Sequence, residues 1–218
     1  MTWSDGRARA ALIATSVIAG ALTLALAAGA QPQAGKNLVV NGNAEQGEAS
    51  PNGYDVVAEV PGWIRKGGFT VVSYGAADFP SIQQGSAIGG GKSFFAGGPG
   101  NAGSSVMQSI DVTSKKALID TGKAKASLSG YLGGYGGQND SLSASAVFLG
   151  QTGKRLGTLK IGPVTAAERK LATGLLKKTK VGSVPRQTRS IRLTLGANRT
   201  AGAYNDGYAD NLALTIGR

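Results

Sequence analysis

Apolar and polar positions alternate with a period of two along several stretches of this chain. Val106, Gln108, Ile110 and Val112 fall on one side of their segment. Ile191, Leu193 and Leu195 do the same with Arg192 and Thr194 between them, and Leu212, Leu214 and Ile216 repeat the pattern near the C-terminus. Successive side chains of a strand point to opposite faces, so each pattern marks a strand with one face buried. Comparable short runs predict strands at 38–40, 69–74, 93–96, 106–112, 124–132, 142–149, 155–161, 190–195 and 209–216. Gly, Ser, Asn and Pro separate them, and Gly alone supplies 35 of 218 residues. Many one-sided strands at this spacing predict an all-β fold, a two-sheet antiparallel β-sandwich. Only 165–180 departs from the pattern, because Thr165 followed by Glu168 has the spacing of a capping box that can open a short helix.

The N-terminus changes the picture. Arg7 and Arg9 precede an uncharged apolar stretch over 10–28 that ends in Ala28-Gly29-Ala30. A basic start, an apolar middle and a small-x-small site are the three parts of a secretory signal, so residues 1–30 are expected to be removed. An uncleaved membrane anchor is the competing reading, since the stretch comes near the roughly 20 residues that span a bilayer. Removal leaves a flexible leader at 31–36 and one domain at 37–218, with no membrane span after processing, working as a secreted extracellular protein. With no cysteine in the chain, disulfides cannot reinforce that domain, which leaves its core and a bound metal to do so.

Composition also limits the chemistry. The chain has neither His nor Cys, which excludes Ser-His-Asp and Cys-His catalysis and His-ligated metal centres. Hydrolysis of a glycosidic bond needs only two carboxyl groups at a fixed separation, and the acidic residues do not group so as to nominate such a pair. A noncatalytic protein is therefore expected. The net charge is +11, with basic clusters at Lys115, Lys116, Lys123 and Lys125 and again at Lys177, Lys178, Lys180, Arg186, Arg189 and Arg192. They suit acidic polymers or simply a solvated surface. Export argues against a nucleic-acid partner, and a monomer is expected. Gly85 to Ser93 ends like a phosphate-binding loop, but its first Gly is out of register.

Particular segments carry a family resemblance. Asn41-Gly-Asn-Ala-Glu45 followed by Pro61-Gly-Trp63, then Gln108-Ser-Ile-Asp-Val112, Gly182 to Leu193 and Asn205-Asp-Gly-Tyr-Ala-Asp-Asn-Leu-Ala-Leu214 resemble, in that order, the galactose-binding-like jelly rolls. These include carbohydrate-binding modules and F-box-associated domains. The resemblance implies a jelly-roll sandwich whose first and last strands lie side by side, a mostly structural Trp63, and a carbohydrate or cell-surface glycan as partner. It also implies a structural calcium ion (Ca2+) held by Glu45, the Asn43 carbonyl and Asp210. Calcium takes six to eight oxygen ligands, which carboxylates and turn carbonyls supply. The alternative is that both acids cap turns and face water. Ala44 departs from the family, where an aromatic residue is common before the Glu.

A sugar presents C–H groups to aromatic rings and hydroxyls to amides and carboxylates. The first candidate platform is Tyr131 and Tyr135 with Gln138 and Asn139, the tyrosines set opposite the core-facing Leu128 and Leu132. The second is a tight turn at Tyr204, Asn205 and Asp206. The competing assignment for every tyrosine is a partly buried sandwich position. A glycan-binding protein with a calcium site is thus the first expectation. An extracellular structural or adhesive protein without a sugar site is the second, and a carboxylate-based glycoside hydrolase or lyase the third.

Overall fold

Ten antiparallel strands form two five-stranded sheets in a computed structural model that describes Met1 and residues 35–218. The signal peptide expected at 1–30 lies, apart from Met1, outside the described residues, as do residues 31–34 of the leader. The first sheet orders β1 (Ile64–Lys66), β4 (Gly103–Asp111), β9 (Ser190–Asn198), β6 (Ser141–Leu149) and β7 (Arg155–Ile161). The second orders β2 (Thr70–Ser73), β3 (Ser93–Pro99), β10 (Tyr204–Gly217), β5 (Lys125–Gly134) and β8 (Gly174–Ser183). This is the all-β two-sheet sandwich that the alternation predicts, in the jelly-roll form that the resemblance implies. Among the described residues no helix is long and apolar enough to cross a membrane.

The inner faces of the two sheets meet in one core. Val106 and Ile110 of β4, Leu193 and Leu195 of β9, and Leu212, Leu214 and Ile216 of β10 all contribute to it. Trp63 belongs to it too, packing edge-on against Phe95 and donating its indole N–H to the Asn41 carbonyl at 3.1 Å. Full burial of such side chains contributes roughly 1.5–3 kcal/mol each.

The outer face of the second sheet is buried in part as well, over β2, β3 and the start of β10. Val72 of β2, Phe94 and Ala96 of β3, and Tyr204 and Tyr208 of β10 form a separate cluster there with Tyr74, Ala76 and Phe79. The β2–β3 connection covers this cluster. It is closed by the Tyr74 N–H on the Lys92 carbonyl and contains α1 (Ile82–Ala87), whose capping box joins Ser81 and Gln84. An exposed sheet face has become a second, smaller core, and the site lies at its rim.

Several local expectations are corrected. Residues 38–40 are not a strand, although they run beside β10: the Asn37 side chain takes the Leu214 N–H at 3.0 Å and donates to the Leu212 carbonyl at 3.1 Å, replacing part of a ladder. Thr165 and Glu168 make the reciprocal capping bonds, but the chain turns at 166–171, with Lys170 and Leu171 at positive φ, and enters β8 instead of a helix. Tyr204 to Tyr208 is no tight turn. It is the start of β10, where a bulge absorbs Asp206 and Gly207. Gly207 is required there because a Cβ would lie 2.6 Å from the Ser141 backbone.

Candidate functional site

At one end of the sandwich, loops enclose an open cavity of about 470 Å³. Tyr54 reaches it from the segment before β1, Asp78 and Phe79 from the cover loop, Tyr135 and Gln138 from the β5–β6 loop, and Tyr204 and Asp206 from the start of β10. Each arrives for a local reason. Tyr54 sits on a turn in which Asn52 Oδ1 accepts its N–H at 2.8 Å, and neighbouring Gly53 has φ +80°, where a Cβ would lie 2.2 Å from the Phe79 ring. Asp78 also adopts a left-handed conformation, at φ 70°, which Asp tolerates better than most residues. The β10 bulge turns Asp206 toward the cavity, a common use of bulges beside sites.

The aromatic geometry is specific. Tyr54, Phe79 and Tyr204 have ring centroids 5.3–6.3 Å apart, with interplanar angles of 75°, 75° and 79°. Three mutually near-perpendicular planes make a corner, not a flat stacking surface. Tyr135 packs against the same cluster. Two buried polar atoms of this lining, the Tyr204 hydroxyl and Gln138 Oε1, have no hydrogen-bond partner among the described residues. Burial raises the Tyr204 pKa, so its hydroxyl stays protonated and available as a donor.

The acidic side of the site is held firmly. Asp206 Oδ1 accepts the Tyr208 hydroxyl at 2.5 Å. Burial pushes the Asp206 carboxyl up to about 6 against the lowering effect of that bond, with Asp140 and Asp78 adding to the rise and Arg169 opposing it. Arg169, itself buried, donates to the Gly136 carbonyl at 2.9 Å and the Gln138 carbonyl at 2.8 Å, fixing the loop that presents Tyr135 and Gln138.

The sequence-selected ligand residues divide between this cavity and other places. Tyr135, Gln138, Tyr204 and Asp206 line it together. Tyr131 does not; it is half-buried on the outer face of β5, paired with Asp210 and Lys177 of the adjacent strands. Asn139 is exposed, with Oδ1 accepting the Ala166 N–H at 3.1 Å. Asn205 is fully buried, its Oδ1 taking the Gly207 N–H at 3.3 Å. Tyr54, Asp78 and Phe79 were not selected from the sequence. Pro51-Asn52-Gly53 is a turn signal with an aromatic residue at its exit, and it was the available clue to Tyr54.

Two of the three proposed metal ligands, Glu45 and Asp210, come together elsewhere, beside Gly90 and Gly91, and among the described residues no third acidic side chain joins them. A Cβ on Gly90 would lie 2.4 Å from Asp210 Oδ2, and one on Gly91 would lie 2.6 Å from the Glu45 carboxyl carbon. Glu45 Oε1 accepts the N–H groups of Lys92 and Ser93 at 2.8 and 2.9 Å, the very loop that mimics a phosphate-binding motif. Asp210 is fully buried and takes the Tyr74 hydroxyl at 2.7 Å and the Asn211 N–H at 2.6 Å. Burial raises its carboxyl to about 7, with those two bonds opposing and the Glu45 charge assisting. Asn43 is exposed and lines a separate cavity of about 400 Å³ with Asn211 and Leu212. Among the described residues neither carboxylate has an ion-pair partner, so this oxygen-only donor set suits a hard cation in its chemistry.

No family model matches the chain, and no curated protein matches it. Several solved structures are similar in fold. One is a family 16 carbohydrate-binding module, at TM-score 0.49 and 18% identity, covering 82% of this chain and 99% of that one. Another is the xylan-binding domain of Paenibacillus barcinonensis Xyn10C, at TM-score 0.45 and 16% identity over 84% of this chain and 96% of that one. A third is the enzymatically active domain of tailspike protein 4 from bacteriophage CBA120, at TM-score 0.48 and 15% identity. That match covers 83% of this chain but only 21% of the tailspike chain. Likenesses this distant assign the chain no ligand.

Proposed function

We propose that this chain is a noncatalytic glycan-binding protein that works outside the cell, with its site in the cavity lined by Tyr54, Tyr135, Gln138, Tyr204 and Asp206. The observation that carries the reading is the coincidence, in one open cavity, of aromatic rings with two buried polar atoms that lack partners. Leaving a buried polar group unpaired costs about 1–3 kcal/mol, and a bound sugar relieves that cost by hydrogen-bonding the Tyr204 hydroxyl and the Gln138 carbonyl oxygen. Its C–H faces would meet the rings, and Asp206 would accept a hydrogen bond from a sugar hydroxyl. We further propose that Glu45 and Asp210, with the Asn43 carbonyl, hold a structural calcium ion that offsets the repulsion between the two carboxylates.

The test is a glycan array of the folded domain, run with calcium and with chelator and repeated with Tyr135→Ala. Binding by the parent and its loss in the variant supports the reading. Binding that survives Tyr135→Ala and Tyr204→Phe together moves the site away from this cavity, and no binding to any glycan removes the proposed function.

A further inference from the structure

The charge around the cavity runs against that of the whole molecule. The chain has a net charge of +11, yet among the described residues the lining carries Asp78 and Asp206 and neither Lys nor Arg. The charged groups that act on Asp206 from the packed elements are Asp140, Asp78 and the guanidinium of Arg169. Three carboxylates therefore meet one guanidinium around Asp206, while a second, that of Arg199, is bonded to the Ala203 carbonyl of the cavity wall at 2.8 Å and lies outside the lining. Asp140 is fully buried and spends its oxygens on the N–H groups of Thr200, Ala201 and Asp206, and Arg169 is bonded to the carbonyls of the β5–β6 loop. Asp78 and Asp206 remain as the acids of the lining. Asp78 is exposed at the rim and Asp206 lies deeper.

Shape points in the same direction. A flat sugar face stacks well on one ring, but it cannot lie against three planes that stand near-perpendicular to one another. A compact, rounded cation can: its charge is attracted to the negative face of each ring, with contributions of about 0.5–1 kcal/mol at exposed sites and more when desolvated. The corner formed by Tyr54, Phe79 and Tyr204 has this form. Tyr204, which is 9% exposed and has an unpartnered hydroxyl, adds a polar contact at its base.

From this geometry we propose that the cavity recognises an ammonium group, carried on an amino-sugar unit of the glycan, through the aromatic corner of Tyr54, Phe79 and Tyr204 and the carboxylates of Asp78 and Asp206. The inference rests on the glycan-binding reading for its carrier but not for its charge.

Calorimetric titration at pH 6.5, above the Asp206 value of about 6, tests both. The probes are a glucosamine oligomer, the same oligomer N-acetylated, a neutral glucose oligomer of equal length, and choline. The expected result is binding of the glucosamine oligomer about tenfold tighter than either neutral oligomer. Asp78→Asn should reduce that preference to about twofold or less. Asn also tolerates the left-handed backbone, and position 78 is exposed, so this variant is expected to fold; Asp206→Asn should act in the same direction. Equal binding of all three oligomers overturns the cation inference and leaves glycan binding standing. Binding of choline without any oligomer keeps the cation site and overturns the glycan reading. Failure of all four probes to bind overturns the cation inference, and the glycan array then decides the glycan reading.

Discussion

Asp140 and Asp206 lie in different segments and are joined through the main chain: Oδ2 of Asp140 accepts the Asp206 N–H at 3.0 Å. Its Oδ1 takes the Thr200 hydroxyl at 2.9 Å and the N–H groups of Thr200 and Ala201. One buried carboxylate thus fixes the approach to β10, including Gly202, Ala203 and Tyr204 of the cavity wall. Asp140→Ala removes the acceptor of three part-buried N–H groups, which should cost about 1–3 kcal/mol in total. Urea denaturation should show a lower midpoint, with weaker glycan binding in parallel. An unchanged midpoint would mean that water replaces these bonds at little cost.

Asp206 gives the molecule a pH signature. Its carboxyl is raised from 3.8 to about 6 in the folded state, chiefly by burial. Between these values the folded chain holds a proton that the unfolded chain has released. Folding stability from this group is therefore present at low pH and is lost as pH rises toward and through 6. The loss should be roughly 3 kcal/mol at most. Comparing denaturation of the parent and Asp206→Asn from pH 4 to 7 isolates it, since the variant lacks the titration. Parallel pH curves for the two proteins would contradict the assignment.

The sheets were legible because their residues obey a local rule. Ile191, Leu193 and Leu195 alternate, and β9 buries them as the period requires. The β7 boundaries at Arg155 and Ile161 also agree. β8 was not legible: Lys177, Lys178 and Lys180 leave this edge strand with little buried area and no clean alternation, and a lysine-rich edge is a common defence against further pairing. The site was half legible. Tyr135, Gln138, Tyr204 and Asp206 are polar or aromatic residues beside glycines, which marks them locally. Phe79 and Tyr54 join them through a loop folded over the outer face of the second sheet, and no pattern within either segment announces that long-range closure.

Calcium should raise the melting temperature if Glu45 and Asp210 hold it, because a ligand bound only by the folded state stabilises that state by RT ln(1 + [L]/Kd), about 2.7 kcal/mol at one hundred times Kd. The shift should disappear in Asp210→Asn, which keeps the shape of a side chain packed against Gly90 and Tyr74. Identical melting curves in calcium and in chelator would leave Glu45 in the role the hydrogen bonds already give it, an acceptor for the Lys92 and Ser93 N–H groups.

Tyr54 and Tyr131 separate a cavity site from a flat platform on the sheet. Tyr54 is 60% exposed and lines the cavity, with its ring 5.7 Å from that of Tyr204. Tyr131 stands apart on β5 between Asp210 and Lys177. Replacing Tyr54 with Ala removes one wall of the aromatic corner while exposing little core, so folding should survive. Affinity should fall by about 0.5–1.5 kcal/mol, the usual contribution of a well-placed aromatic contact. Tyr131→Ala should leave affinity unchanged. Titration of one glycan into both variants, with thermal melts as the folding control, gives the comparison. Should Tyr131→Ala weaken binding while Tyr54→Ala does not, the ligand lies along the outer face of β5, and the cavity is not its site.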